Sequence, residues 1–196
     1  MQTTTDIDYL TPLIRSMRNV FGIPGDFAEL GVMYGESFVR VCREAAKEGR
    51  TAHAIDSFTG MAEPTERDRS PDGVQYYPKG RFDTDGTGQL IGRLQRECKS
   101  CDWRIWQGFV PEVFDRVQID RLAFAYIDMD HYEPTLAALP WVWDRLSLGG
   151  IILCDDYFGN RDHLATPAID EWMAENCDNI IVHEQDRHQV TIRRIR

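Results

Sequence analysis

Asp26-Phe27-Ala28-Glu29-Leu30-Gly31-Val32-Met33-Tyr34-Gly35 is an apolar run that ends in a glycine-spaced loop. The next residues, Glu36 to Glu48, put Phe38, Val39, Val41, Cys42 and Ala45 on one helical side, and Gly49 closes them. A buried strand (Asp26 to Val32), a tight turn and a helix start are therefore expected in that order. The glycines let the backbone turn and approach a ligand closely, and the helix start behind them offers free N–H groups. The spacing is ExGxxxG, from Glu29 through Gly31 to Gly35, and not the GxGxxG of dinucleotide binders. Glu29 at the loop entrance places charge against a pyrophosphate, and it suits a cationic ligand instead. A glycine-rich turn without any ligand is the plainer reading of the same residues.

Outward from this loop the strand–helix alternation repeats. Thr51 to Phe58 reads as a second strand, Trp103 to Gln107 as a third, Leu122 to Asp128 as a fourth and Ile151 to Cys154 as a fifth, after a break at Leu148-Gly149-Gly150. Helices are expected over Gln89 to Cys98, Pro134 to Leu146 and Leu164 to Glu175, with a short helical stretch from Val110 to Val117. Ile180 to Glu184 and Val190 to Ile195, joined by a polar turn, read as an antiparallel hairpin. The expected fold class is α/β: a Rossmann-like, doubly wound, mainly parallel seven-stranded sheet with a C-terminal antiparallel hairpin, in one domain spanning 1–196. Ligands of such sheets bind outside the carboxyl ends of the strands. Residues 59–80, rich in Pro, Gly, Asp and Arg, read as a long lid loop, with Tyr76, Tyr77 and Phe82 flanking it as candidate lid residues.

Composition narrows the function classes. The chain has 196 residues, a hydrophobic fraction of 42% and a net charge of −10. The acidity and the scattered arginines argue against a nucleic-acid substrate. The absence of a long apolar run argues against a membrane span, and the polar Met1 to Leu10 is unlike a signal peptide, so a cytoplasmic location is expected. Five cysteines, an odd count, do not suggest a disulfide framework. The single Cys98-x-x-Cys101 supplies only two of the four ligands that structural zinc requires, and Cys42, Cys154 and Cys177 read as core. Trp141, Trp143 and Trp172 read as core or interface.

The strand ends carry the chemistry. Asp56, at the end of the second strand, is placed to accept the ribose hydroxyls of a nucleoside, with helix or loop capping as the alternative. NAD and S-adenosylmethionine both carry such a ribose, and Glu29 suits the latter, whose amino and sulfonium groups are cationic. Asp128-Met129-Asp130 ends the fourth strand and Asp155-Asp156 the fifth. Carboxylates crowded at one rim repel unless a cation joins them, and hard oxygen ligands select Mg²⁺ or a similar ion. Single aspartates at such positions are often helix caps.

These same segments resemble the macrocin-type O-methyltransferases, sugar methyltransferases of macrolide and aminocoumarin biosynthesis with the class I methyltransferase fold. The resemblance runs from about Gly25 to Glu171. It is carried by Gly25-Asp26-Phe27-Ala28-Glu29-Leu30-Gly31-Val32, Asp56-Ser57-Phe58-Thr59-Gly60-Met61 and Gln107-Gly108-Phe109. The most specific pieces are Tyr126-Ile127-Asp128-Met129-Asp130-His131-Tyr132-Glu133 and the run from Leu148 to Tyr157. The resemblance implies a Mg²⁺-dependent transfer of a methyl group from S-adenosylmethionine to a hydroxyl of a small-molecule acceptor, as in antibiotic biosynthesis. It implies Asp128, Asp155 and Asp156 as metal ligands and Asp130 as general base. Glu29, Gly31, Tyr34, Gly35, Ser37, Asp56, Ser57, Phe58, Gln107, Gly108 and Asp128 would line the cofactor site. His131 stands where the family usually has an apolar residue, and it is the second candidate for the base. His163 is a candidate substrate contact. Assembly into a homodimer is expected. A catalytically inactive methyltransferase-like binding protein is the alternative. A nicotinamide dehydrogenase leaves the acidic cluster unexplained, and a DxD phosphatase would carry its pair on the first strand.

Overall fold

The computed structural model describes residues 10–158, 163–185 and 188–196; the polar start of the chain and the residues expected to join the last two strands lie outside them in whole or in part. In chain order come helix α1 (Leu10–Arg18), strand β1 (Asp26–Leu30), α2 (Glu36–Lys47), β2 (Thr51–Asp56), α3 (Gly88–Glu97), β3 (Asp102–Gln107) and β4 (Leu122–Ile127). Then follow α4 (Tyr132–Arg145), β5 (Leu146–Cys154), α5 (Ala165–Glu175), β6 (Ile180–Gln185) and β7 (Gln189–Arg194). The strands form one seven-stranded sheet in the order β3-β2-β1-β4-β5-β7-β6. Strands β1 to β5 are mutually parallel, and β7 pairs antiparallel with both β5 and β6. This is the expected doubly wound architecture with its hairpin, the reversed strand β7 lying inside the sheet and β6 at its edge.

Strand β4 is buried along its whole length because helices cover both faces of the sheet. Alternation along the strands feeds two cores. Phe27, Phe124, Tyr126 and Leu153 pack with Leu13 and Met17 of α1 and Phe38 of α2 on one face. Ala28, Ile127, Ile152 and Ile192 pack with Leu139 and Val142 of α4 and Ile169 and Trp172 of α5 on the other. The indoles behave as expected of core and core edge: Trp141 stacks on Phe114, and Trp143 meets Trp172 edge-on.

Several expectations need correction. Helix α1 had no counterpart in the sequence reading, although Leu10, Leu13 and Met17 lie on one helical side and are buried. Strand β5 begins at Leu146 instead of Ile151, because the Leu148-Gly149-Gly150 segment is an irregularity within the strand. The register runs from Leu122↔Leu146 to Phe124↔Ile151 across it. Cys177 is exposed in a turn, while Cys42 and Cys154 are buried as expected. No described helix is long and apolar enough to cross a membrane.

The functional rim follows from the ladders. The residue after each of four strands continues the pairing of its neighbour. Gly31 N–H donates to Ile55 O (3.0 Å), Gly108 to Asp56 O (2.8 Å), Asp128 to Leu30 O (2.8 Å) and Asp155 to Ile127 O (2.9 Å). The carboxyl ends of β1 to β5 are thereby level. The strand order turns back between β1 and β4, which is where a ligand crevice opens. Only glycine fits at position 31: a Cβ there would sit 1.7 Å from the Asp128 carbonyl oxygen.

Candidate active site

A cavity of about 500 Å³ opens above this rim, within the range of small-molecule sites. Gly31, Tyr34, Ser37, Asp56, Ser57, Gly108, Asp128, Asp130, His131, Asp155 and Asp156 all line it. Four residues expected at the cofactor site are not part of the cavity lining. Glu29 is fully buried beneath the loop. Gly35 starts α2 with φ 75°, where a Cβ would strike Leu90. Phe58 has its ring in the core, and Gln107 donates to Ser57 O at 3.2 Å.

Four strand ends are followed by non-glycine residues with positive φ: Met33 after β1, Phe58 after β2, Asp130 after β4 and Asp156 after β5. Such conformations are uncommon outside glycine and cluster at functional sites. Asp56 clamps the loop opposite. Its Oδ2 accepts from Val32 N (2.6 Å) and Met33 N (2.8 Å), and its Oδ1 accepts from Phe58 N (2.7 Å). The carboxylate holds the cofactor loop in shape, the loop-capping alternative that the sequence offered for it.

The acidic residues do converge. Carboxylate oxygens of Asp128, Asp130 and Asp156 lie within 4.8 Å of one another, the one group of potential metal ligands among the described residues. Burial first, then the charges of Asp155, Asp130 and Asp156, raise the Asp128 carboxyl well above its ordinary range. Asp130 is pushed up to about 9 by burial and by Asp156, with Arg81 opposing. Asp155 is raised by burial and Asp156, against the hydrogen bond from Tyr126. Asp155 stands beside the group: Tyr126 OH donates to its Oδ2, and Gln189 Nε2 donates to the Tyr126 oxygen at 3.4 Å. Tyr126 and Gln189 were not singled out from the sequence. Tyr126 sits inside an apolar strand, paired in register with Glu29.

These observations test the expected ligands. Buried carboxyls that raise one another fit a divalent cation, which relieves the repulsion. Glu29 Oε1 accepts from Ser37 Oγ, while its buried Oε2 has no protein partner. Burial raises Glu29 well above its ordinary range. A cationic donor such as an ammonium fits that unmet acceptor.

The long segment between β2 and α3 is fastened over the cavity. Asp68 is buried, and its carboxylate accepts from Tyr132 N and Thr65 N, both at 2.7 Å. His131 Nε2–H donates to Tyr77 O at 3.0 Å, which explains a buried histidine at the start of α4. Arg67 pairs with Glu171 and lies over the Tyr132 ring. Met61, Glu63 and Phe82 face the cavity from this segment, whereas Tyr77 packs on Phe82 and His131. His163 stacks with Tyr76 and is not in the cavity wall.

The comparisons with known proteins agree with this geometry. Residues 28–157 match a family described as a methyltransferase domain. The chain is 30% identical over 150 residues to the 8-demethyl-8-(2,3-dimethoxy-alpha-L-rhamnosyl)-tetracenomycin-C 4'-O-methyltransferase of Streptomyces olivaceus, covering 69% of this chain and 54% of that one. It is 26% identical over 196 residues to the demethyldecarbamoylnovobiocin O-methyltransferase of Streptomyces niveus, covering 94% of this chain and 73% of that one. The match thus spans little more than half the length of the first relative. The solved structure of the O-methyltransferase NovP superposes with a TM-score of 0.82 at 24% identity, over 97% of this chain and 81% of that one, and so shares the fold. The chain belongs to the methyltransferase-domain family, within the macrocin-type group whose motifs it carries.

Proposed function

We propose that this protein is an S-adenosylmethionine-dependent, Mg²⁺-assisted O-methyltransferase that acts on a hydroxyl of a small molecule, in the manner of a natural-product sugar. The observation that carries this reading is the meeting of two features in one cavity. The Gly31 loop, with the partnerless Glu29 oxygen buried directly beneath it, lies on one side, and the converging aspartates lie on the other. When bound, S-adenosylmethionine would supply the electrophilic methyl group and a divalent ion would supply Lewis acidity toward the acceptor hydroxyl.

The residues of the chain do the rest. Glu29 and Ser37 would receive the cationic end of the cofactor, and Asp56 keeps Val32 and Met33 in place at the edge of the ribose site, with at most one Oδ1 lone pair left for a ribose hydroxyl. Asp128 and Asp156 would hold the ion, joined by Asp155 beside them, whose direction Tyr126 fixes. Asp130, beside Asp156 and in the cavity wall, takes the proton from the acceptor hydroxyl. Asp68 and His131 hold the lid segment against the start of α4, which shields the reacting atoms from water. Transfer is in line, so alignment of acceptor oxygen and methyl carbon is a large part of the acceleration.

The test is calorimetry followed by a transfer assay. S-adenosylhomocysteine should bind and NAD should not. Methyl transfer to deoxysugar-bearing natural products should stop in excess EDTA and resume with Mg²⁺. Cofactor binding without transfer to any hydroxyl acceptor would favour the inactive binding protein. Undiminished turnover in EDTA would leave the aspartates as caps.

A further inference from the structure

A second cavity, of about 340 Å³, lies between α1 and the β5–β7–β6 edge of the sheet, and it shares no lining residue with the first. Arg15, Ser16 and Asn19 line it from the α1 side, and Ile151, Thr191, Arg193 and His183 from the sheet. The register explains the second group. Ile151 pairs with Arg193, and Thr191 pairs with His183. Directly paired residues share a face, as do positions two apart on β7. That face is the one α1 covers, while Ile192, on the opposite face, packs in the core of α4 and α5.

The chemistry of this lining is the reverse of the catalytic cavity. Two guanidiniums and an imidazole line it together with Ser16 and Thr191, which are 2% and 5% exposed. No Asp or Glu lines it among the described residues, in a chain with 32 acidic and 22 basic side chains. Arg193 Nη1 donates to Gly149 O at 3.2 Å, which orients one side of its fork. Nine carboxyl-bearing residues and, among the described residues, no Lys or Arg line the catalytic cavity. An anion therefore partitions away from the catalytic cavity and toward the second one.

We propose that this second cavity is an accessory binding site for a small phosphate-type dianion, either inorganic phosphate or a phosphate monoester. Arginine forks give strong charge-assisted hydrogen bonds to such oxyanions. The hydroxyls and the Asn19 amide add donors from other directions, as a tetrahedral anion requires. Bound there, the anion bridges α1 to β7 and stabilises the folded chain by mass action.

Calorimetry and thermal melts of the full chain, without divalent metal and at fixed ionic strength, read the site directly. Sodium phosphate should give one saturable binding event and a rise in Tm. Arg15→Gln, at an exposed position of α1, should weaken binding about tenfold, the loss of one hydrogen bond to a charged group. Arg193→Gln should do the same, and Arg104→Gln, exposed on β3, should change nothing. Tighter binding of glycerol phosphate than of phosphate assigns the monoester, and equal or weaker binding assigns free phosphate. The proposal is overturned if phosphate gives no saturable heat, if both arginine variants bind it like the wild type, or if acetate binds as tightly.

Discussion

Tyr126 shows how much the site depends on a residue that motif reading passes over. Its hydroxyl is the donor that aims Asp155, and Gln189 supports it from β7. Tyr126→Phe keeps the ring and removes only that donor. It should weaken Mg²⁺ binding about tenfold, the low end for residues that orient metal ligands, and leave S-adenosylhomocysteine affinity unchanged by calorimetry. Asp130→Asn should lower kcat roughly 10²–10⁴-fold, the contribution of a positioned base, with Mg²⁺ and cofactor binding nearly intact. Full activity in that variant with a true acceptor would remove Asp130 from the role. Asp156→Asn should do the opposite of most site mutations in the metal-free protein. Relief of carboxylate crowding, worth about 1 kcal/mol, raises Tm by about 2–4 °C, while Mg²⁺ no longer binds. The aspartates themselves were legible, because they end apolar runs. Their grouping was not: that Asp130 joins Asp128 and Asp156 while Asp155 turns toward Tyr126 depends on φ values and side-chain partners. Asp56 was legible as a site residue or a loop cap, but not as the clamp of the Gly31 loop, since Val32 and Met33 belong to a different strand end.

Among the elements, α1 was the one left unread, and it is held by an ionic clasp as well as by its apolar side. Arg18 and Lys47 both bond Glu44, which is buried on α2. Burial pushes the Glu44 carboxyl up, and the two hydrogen bonds more than offset it, so it ends below its ordinary 4.5. A carboxylate lowered in the folded state stabilises above its unfolded pKa, and that contribution is lost as pH falls through the folded value. Glu44→Gln should therefore lower Tm at neutral pH by the equivalent of about 1 kcal/mol, with the gap to wild type closing in acid melts below pH 4.5. The lid segment depends likewise on one carboxylate. Asp68→Asn leaves a buried N–H poorly satisfied, costing about 1–3 kcal/mol locally. Faster limited proteolysis within 59–87 and a raised acceptor KM, with cofactor affinity preserved, are the expected results. The segment's existence was legible from its Pro and Gly content, but its fastening was not, because Tyr132, His131 and Glu171 lie far along the chain. The strands were legible as apolar runs, except the start of β5, where Gly149 and Gly150 read as a stop and the ladder passes through them.

At the scale of the molecule, within a chain of net charge −10, acidic side chains gather in one cavity and basic ones in the other. Mg²⁺ should raise Tm in proportion to the logarithm of its excess over Kd, and EDTA should reverse the shift. A melt indifferent to Mg²⁺ would count against a built metal site. Strand–helix alternation made the doubly wound sheet legible in full, and the terminal pair of strands legible as a hairpin. Which of the two docks on β5 was not legible, because either strand has an apolar face. The order found, with β7 between β5 and β6, has a consequence for biosynthesis. A ribosome delivers β6 before β7, yet β6 has no place in the sheet until its later partner has arrived. Until then β5 presents a bare edge, the kind that recruits other chains. Crowded expression should thus lose molecules to aggregation in that interval, and slower translation through the hairpin should worsen the loss.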